Sequence, residues 1–350
     1  MLAYVYDQAG KLSLQEKPQP IPREDNAILQ VQACSICGTD LRTYLHGSSK
    51  IIPPRIVGHE VCGVLIDVGS KITGVSAGER VTVAPAIGCG DCYACSRGYT
   101  NLCDNLKTIG FQYEGTFAEY LEIPFQAFKQ GNVNKVAEHV ADEEAVLAEP
   151  IACVVNGQEF LRIEKGDSVA IFGSGFIGCI HAELAFLREA EQVIIIEIAR
   201  NRAEQAQKLL PHVSMLDPSQ GQLFEKITQL TNGKGVNVAI TACSSGQAQI
   251  DALKVTAKRG RVSLFGGLPG KATGFLDSNL IHYKELAVYG VHASTPPQNK
   301  LVLEWIAQRK LNVKKYISRI FALQNIENAF HALQYENIMK AIIKPGESSK

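Results

Sequence analysis

Four of the ten cysteines in this 350-residue chain fall within one short stretch. Cys89, Cys92, Cys95 and Cys103 occupy Gly-Cys-Gly-Asp-Cys-Tyr-Ala-Cys-Ser-Arg-Gly-Tyr-Thr-Asn-Leu-Cys, where two CxxC steps share Cys92. Four thiolates so close in sequence can surround one ion tetrahedrally with little loop entropy to lose, which is the pattern of a closed, structural zinc site. Gly88, Gly90 and Gly98 supply the turns. An iron–sulfur cluster uses the same donors and is the alternative.

A second set of donors is dispersed. Cys37 stands in Cys-Gly-Thr-Asp, His59 and Glu60 in Gly-His-Glu, and Glu149 in Glu-Pro. Together they mix sulfur, nitrogen and oxygen, as a catalytic zinc with an open position requires. Taken singly each signal is weak, because a lone cysteine is usually core and a lone glutamate usually surface. A third set is Gly173-Ser174-Gly175-Phe176-Ile177-Gly178, a GxGxxG that follows a short apolar run and opens a helical pattern. Such glycines let the backbone approach a pyrophosphate at a helix N-terminus. Glu197, at the end of the next apolar run, would accept hydrogen bonds from the adenosine ribose and repel a 2′-phosphate, selecting NAD over NADP. Arg200 and Arg202 pull the other way, since an arginine there can receive that phosphate; Glu197 stands closer to the ribose position and decides for NAD.

The elements that must position these residues fall into two textures. Up to about residue 150 the chain is rich in short β-type runs, with strands expected at Ala27 to Ala33, Val61 to Val68 and Arg80 to Ala84. From Ser168 onward strands and helices alternate. Strands are expected at Ser168 to Phe172, Val193 to Ile198, Val236 to Thr241, Arg261 to Phe265 and Leu286 to Val291. Helices are expected at Gly175 to Leu187, Arg200 to Leu210, Gln247 to Lys258, Lys300 to Gln308 and Ile326 to Leu333, with a returning strand at Ala341 to Lys344. That alternation predicts an α/β fold with a doubly wound parallel sheet. No repeat is present, and the polar tail Gly346 to Lys350 reads as frayed.

Bulk composition narrows the class. The chain is 46% hydrophobic and 20% charged, with 35 basic and 35 acidic residues, so nothing points to nucleic acid or an acidic membrane surface. No apolar run approaches a membrane span, and Met1 to Gly10 does not read as a signal peptide. A cytoplasmic, reducing location is expected, where clustered cysteines bind metal rather than pair.

With these motifs in hand, the chain resembles the zinc-containing medium-chain dehydrogenases, the superfamily of alcohol, sorbitol and threonine dehydrogenases. The matching stretches run almost end to end: Cys37-Gly-Thr-Asp40, Gly58-His-Glu60, Gly78-Glu-Arg-Val81, the cysteine lobe, Gly115-Thr-Phe-Ala-Glu-Tyr120, Glu149-Pro150, the glycine motif and Gly266-Gly267. The resemblance implies a GroES-like catalytic domain made of residues 1–152 and 292–350, with a structural zinc lobe at 88–105, and a Rossmann NAD-binding domain at 153–291. It implies two zinc ions per chain. Cys37 and His59 would ligate the catalytic one, with Glu60 and Glu149 supplying oxygen directly or through water, as in the sorbitol dehydrogenase branch; Cys89, Cys92, Cys95 and Cys103 would hold the other. Thr39 matches the hydroxyl residue that meets the reacting oxygen. Gly173, Gly175, Phe176, Ile177, Gly178, Glu197 and Arg202 would bind NAD.

Two positions depart from the family pattern. Arg42 stands where many relatives carry the histidine that ends a proton relay, and Gly290-Val-His-Ala-Ser-Thr295 lacks an arginine common in polyol dehydrogenases. The implied reaction is hydride transfer between NAD(H) and a secondary alcohol or its ketone, the substrate being a polyol, sugar or sugar phosphate. The alternatives are a threonine dehydrogenase-like amino-alcohol substrate and, from another class, a non-catalytic zinc- and nucleotide-binding protein. The intact set Cys37, His59, Glu60 and Glu149 argues against the last. A homodimer or homotetramer is expected, because Leu286 to Val291 is an apolar edge strand that needs cover.

Overall fold

A computed structural model describes residues 1–268 and 276–346, so all of the polar tail except Gly346 lies outside the described residues. The chain divides into two compact units, Met1–Ala152 together with the chain from Ala293 on, and Cys153–His292.

In the first unit, strand Asn26–Ser35 is the backbone of a mostly antiparallel sheet. It pairs with Glu60–Val68, with Tyr120–Pro124 and, at Cys34 and Ser35, with Lys340–Lys344 from the far end of the chain. Its buried face packs Leu29 and Val31 with Leu65, Val81, Leu121 and Ile123. Phe330 in helix Ile326–Tyr335 meets Phe117 edge-on at 6.2 Å and ties the C-terminal segment to the same core. This GroES-like unit is thus closed by residues more than 300 positions apart, Ser35 opposite Ile342.

In the second unit six parallel strands lie in the order Ser214–Leu216, Gln192–Ile196, Ser168–Phe172, Val236–Thr241, Thr256–Leu264, Ala287–Gly290 among the described residues. The central strands Val-Ala-Ile-Phe, Val-Ile-Ile-Ile and Val-Ala-Ile-Thr are continuous apolar runs because parallel sheets are covered by helices on both faces. Strand order reverses beside Ser168–Phe172, which makes its carboxyl end the switch point of a Rossmann fold. Arg261 anchors the outer half: its guanidinium meets both Asp167 oxygens at 2.8 Å and also donates to the carbonyls of Leu161 and Arg162 at 2.9 Å.

Element boundaries differ from expectation in one instructive place. The helix expected over Gln247 to Lys258 is Gly246–Val255, and the next strand begins at Thr256. The Thr256 hydroxyl donates back to the Ala252 carbonyl at 2.6 Å and ends the helix. Arg259, at a φ of 60°, then turns the chain beside Gly260. The short strand Ser214–Leu216 and the helix Leu223–Leu230 were not expected, although Leu223, Phe224, Ile227 and Leu230 stand at helical spacing.

One buried group gives this unit a pH signature. His181, on helix Phe176–Leu187, is fully buried, and burial lowers its pKa to about 3. Its Nδ1 lies 3.3 Å from Gln158 Nε2, and Nε2 meets no hydrogen-bond partner among the described residues. Because the folded-state value lies below the unfolded value of 6.5, its contribution is complete above pH 6.5 and is lost as pH falls toward 3. Unfolding free energy should drop by roughly 2–3 kcal/mol between about pH 6.5 and about pH 4.5 from this group alone. Thermal and denaturant unfolding of wild type and His181→Leu checks it: the variant should lose that part of the slope, and an unchanged slope contradicts the assignment.

Candidate metal centres and dinucleotide cradle

The cysteine lobe is a loop between two short paired strands, Ala86–Ile87 and Lys107–Thr108. Two 3-10 turns, Cys95–Arg97 and Thr100–Leu102, fold it back on itself. The Sγ atoms of Cys89, Cys92, Cys95 and Cys103 all lie within 4.8 Å of one another. Backbone N–H groups face the sulfurs: Cys89 and Asn105 donate to Cys103 Sγ at 3.2 and 3.3 Å. Those of Cys95 and Asp104 pull the Cys92 thiol down to about 6. Asp91 pushes the Cys89 thiol up to about 12, and burial raises that of Cys95, so one sulfur is favoured as thiolate by the protein alone and a bound cation would be needed to hold the others in the form that ligates metal. The Gln126 side chain fixes the loop base by donating to the carbonyls of Gly88 and Cys89 at 3.1 and 2.7 Å. Four cysteine sulfurs within 4.8 Å of one another would fit one zinc ion.

The second donor set forms where strand Asn26–Ser35 ends. Cys37 is the residue that precedes helix Gly38–His46, and Asp40 holds it by accepting the Cys37 N–H at 2.9 Å. The other Asp40 oxygen lies 3.2 Å from His59 Nδ1, a close charge contact rather than a well-aligned hydrogen bond. His59 reaches this point because Gly58, at a φ of 90°, passes so close to Thr116 and Phe117 that a Cβ would meet both at 2.6 Å. Burial lowers the His59 pKa, but the negative charges of Asp40 and Cys37 beside it outweigh that and leave the value well above normal. The imidazole therefore sits in a negative field that suits a cation. Glu60, the first residue of the next strand, is wholly buried, and a ligand atom from each of Cys37, His59 and Glu60 lies within 4.8 Å of the others. With Nδ1 facing Asp40, Nε2 is the nitrogen left for the metal.

The remaining expected residues are placed as follows. Glu149 is buried as the second residue of helix Ala148–Glu159 and lies outside the 4.8 Å set. Thr39 is half-buried on the first turn of its helix, and its Oγ1 accepts from Arg42 Nη2 at 3.2 Å. Two neighbours that sequence reading missed are Ser35 and Lys340. The Ser35 hydroxyl donates to Glu60 Oε2, and Lys340 Nζ lies 2.9 and 2.6 Å from the two Glu60 oxygens. Burial lowers the Lys340 pKa, yet Glu60, Cys37 and Glu149 together hold it above the usual value. The available signal was a lysine at the start of the otherwise apolar strand Lys340-Ala-Ile-Ile-Lys344.

In the second unit the glycine motif forms the turn between strand Ser168–Phe172 and helix Phe176–Leu187. Gly178 allows the helix to lie against the strand, since a Cβ there would meet the Gly173 carbonyl at 1.9 Å. Gly175 is different: its φ of −67° is open to any residue, and a Cβ would meet nothing within 4 Å. Phe176 is buried and Ile177 half-buried. Glu197 follows strand Gln192–Ile196 and is 8% exposed. Its carboxylate accepts from the Ser174 N–H, the Ser174 hydroxyl and the Ala199 N–H, each at 2.9 Å. A concave region of about 300 Å³ opens beside it, lined by Arg200, Met215, Asp217 and Lys226 among others. Arg200 Nε is paired with Glu204 at 2.8 Å, and Arg202 is exposed on the same helix. Ser174, which fixes Glu197, is a further residue that the motif alone did not single out.

Two family models match the chain, an alcohol dehydrogenase GroES-like domain over residues 23–132 and a zinc-binding dehydrogenase over residues 177–308. It is 36% identical to the L-threonine 3-dehydrogenase of Pyrococcus horikoshii over 278 residues, 78% of this chain and 77% of that one. The chain belongs to the zinc-type medium-chain dehydrogenase superfamily. It is also 27% identical to the sorbitol dehydrogenase of Halalkalibacterium halodurans over 339 residues, 96% of each chain. Among solved structures, a protein described as a zinc-binding dehydrogenase from Sinorhizobium meliloti, bound to NADP, superposes with a TM-score of 0.90 at 28% identity, covering 98% of this chain and 99% of that one. As a member of this superfamily the protein is an oxidoreductase of the zinc-dependent alcohol dehydrogenase class that uses a nicotinamide dinucleotide.

The two glycines separate fold from binding. Gly178→Ala should lower the melting temperature, because the strand and helix must move apart. Gly175→Ala should leave unfolding free energy within about 0.5 kcal/mol of wild type and weaken dinucleotide binding at least about tenfold, because only a ligand approaches there. Calorimetric titration with the dinucleotide, beside thermal unfolding of both variants, checks this; a destabilised Gly175→Ala that still binds normally contradicts it.

Proposed function

We propose that the protein transfers a hydride between NAD(H) and a secondary alcohol or ketone bearing further polar groups, a polyol, a sugar or a sugar phosphate. The observation that carries this reading is the buried mixed donor set of Cys37, His59 and Glu60. It offers sulfur, nitrogen and oxygen to one cation, with Glu149 as the further carboxylate of the proposed site. Zinc bound there supplies Lewis acidity, which lowers the pKa of a hydroxyl, and NAD accepts the hydride. Around it, Asp40 fixes Cys37 and His59, and Thr39 presents a hydroxyl whose oxygen is already hydrogen-bonded by Arg42. The Thr39 proton is thereby free to be donated to a substrate oxygen. Arg42 cannot carry that proton onward as a histidine would, because a guanidinium does not titrate near neutrality. The cysteine lobe holds a second, structural zinc at Cys89, Cys92, Cys95 and Cys103 in this reading.

NAD is proposed over NADP because the Glu197 carboxylate is pinned at the end of its strand by three donors. A fixed negative charge there accepts the ribose diol and opposes a 2′-phosphate. Arg200, the nearer arginine, is paired with Glu204. The Sinorhizobium relative is bound to NADP, so the point is open to direct test. Strand Ala287–Gly290 ends the described sheet with half-buried Ala287, Val288 and Tyr289, and we propose that a second copy covers this edge in a homodimer or homotetramer. No helix among the described residues is long and apolar enough to cross a membrane. Ten cysteines without a disulfide among the described residues fit the reducing, cytoplasmic setting proposed here.

A second reading is favoured by the 36% identity to a threonine dehydrogenase, which exceeds the 27% to a sorbitol dehydrogenase. An NAD-reduction screen over polyols, sugar phosphates and threonine decides between them. Oxidation of simple primary alcohols alone would contradict both. Glu197→Ala should shift the NADP-to-NAD preference by at least about tenfold toward NADP; equal use of both cofactors by wild type would overturn the choice of NAD.

The two metal sites should separate by mutation. Cys37→Ala should lower turnover by about a thousandfold or more while leaving dinucleotide binding and unfolding nearly unchanged, because the scaffold there stands without the ion. Cys95→Ala should lower the melting temperature and keep part of the activity at low temperature, because metal binding at four thiolates is folding free energy for its own loop. Initial rates and thermal unfolding of each variant check this, and the reverse pattern would mean that the roles are exchanged.

A further inference from the structure

Arg42 is half-buried in helix Gly38–His46, and among the described residues no carboxylate pairs with it. Its hydrogen bond runs from Nη2 to Thr39 Oγ1 at 3.2 Å. Three half-buried arginines elsewhere are placed differently. Arg55 meets Glu114 at 2.8 Å, Arg80 meets Asp142 at 3.5 Å and Arg261 meets Asp167 at 2.8 Å. The buried acids around the metal-donor set are committed to other groups: Asp40 to the Cys37 N–H and His59, Glu60 to Lys340 and Ser35. A guanidinium carries five N–H donors, and partial burial strips it of water that the chain here does not replace. An arginine kept for structure would be set against an acid or against chain carbonyls, as Arg261 is.

We infer that Arg42 binds an anionic group of the substrate, a phosphate ester or a carboxylate, and so selects charged secondary alcohols over neutral polyols. The inference rests on the proposed hydride transfer at Cys37 and His59. In that reading the Thr39 hydroxyl meets the reacting oxygen, and Arg42 donates to the same Oγ1. The remaining guanidinium N–H groups therefore lie one side chain away from the reacting oxygen. An anion held by them sits close to the reacting carbon rather than at the far end of a long chain. The planar fork of a guanidinium matches phosphate and carboxylate alike, with two parallel hydrogen bonds to either. Such an anion also offsets the repulsion between a fixed guanidinium and the dication proposed beside it. The pyrophosphate of the dinucleotide is a second source of the same chemistry, and the measurements below separate the two.

The test compares wild type, Arg42→Gln, Arg42→Lys and Arg42→Glu on pairs of alcohols that differ only in charge: a polyol and its monophosphate, and threonine and its amide. For each, kcat and KM are measured, with calorimetric titration of NAD and competition by inorganic phosphate. Wild type should prefer the charged member of one pair by at least about thirtyfold in kcat/KM, within the range of a charge-assisted hydrogen-bonded pair. Which pair shows the preference tells phosphate from carboxylate. Arg42→Gln, which keeps a donor for Thr39, should remove most of that preference, chiefly through KM. Arg42→Lys should keep part of it, and Arg42→Glu should favour the neutral member. Inorganic phosphate should compete with the preferred alcohol in wild type and not in Arg42→Gln. A loss in Arg42→Gln that is equal for charged and neutral members overturns the inference. So does an equal loss of NAD affinity, which would assign the guanidinium to the dinucleotide. Should Arg42→Gln fail to fold, phosphate competition in wild type carries the test, and its absence overturns the inference. Wild type that oxidises the neutral members best removes this inference alone; wild type that oxidises none of the four removes the underlying reading as well.

Discussion

The end of strand Asn26–Ser35 is the point on which the first unit depends. One edge of the strand carries Glu60–Val68 and the other receives Lys340–Lys344, so its last residues are flanked by both neighbours. Each neighbour contributes at the same level: Ser35 stands opposite Glu60 in one register and opposite Ile342 in the other. Cys37 follows directly, and His59 directly precedes Glu60. The hydrogen-bond ladder therefore brings together donors from residues 37, 59 and 60 and a lysine from residue 340 without any long side chain having to search for its partner. That fixed backbone replaces the loop entropy that a set so dispersed would otherwise cost.

The charges at this point explain why it is buried. Asp40, Glu60 and the Cys37 thiol lie around His59 and Lys340 in a region largely closed to water. Uncompensated, these groups would be costly to bury; compensated by one another, and in the proposed reading by a dication, they form a polarised pocket held in place by strands. The second unit answers with a different device. Its proposed dinucleotide site offers backbone N–H groups at the start of one helix and one carboxylate whose direction is set by Ser174 and Ala199. Precision in the first unit comes from a sheet register. In the second it comes from the close contact of Gly178 with the Gly173 carbonyl.

How much of this was legible in the sequence follows from how local each feature is. The cysteine lobe was readable because its four donors lie within one loop and no distant residue is needed to explain them. The Rossmann strands Ser168–Phe172 and Val236–Thr241 were readable to the residue because fully buried strands are continuous apolar runs. The proposed metal donors Cys37, His59 and Glu60 were too weak singly, and resemblance rather than spacing joined them. Ser35 was not legible, and for Lys340 the one signal was a lysine beside an apolar run, since the roles of both exist only through a strand pairing that spans almost the whole chain. Asp40 was visible within Cys-Gly-Thr-Asp, but its two simultaneous tasks, capping Cys37 and facing His59, require coordinates. The end of helix Gly246–Val255 escaped for a subtler reason: Lys254 to Lys258 has no breaker before Gly260, and the halt comes from a threonine hydroxyl bonded back along its own helix.

The central claim is that one chain carries two metal sites of different character, one built by a loop and one by a sheet. X-ray absorption at the zinc edge of the purified protein, combined with metal analysis, tests it most directly. The account predicts two zinc ions per chain, one surrounded by four sulfurs and the other by one sulfur with nitrogen and oxygen. Chelator treatment should remove the mixed-ligand signal first, because only that site keeps an exchangeable position. A single zinc with a purely sulfur shell, or iron in the cysteine lobe, would contradict it.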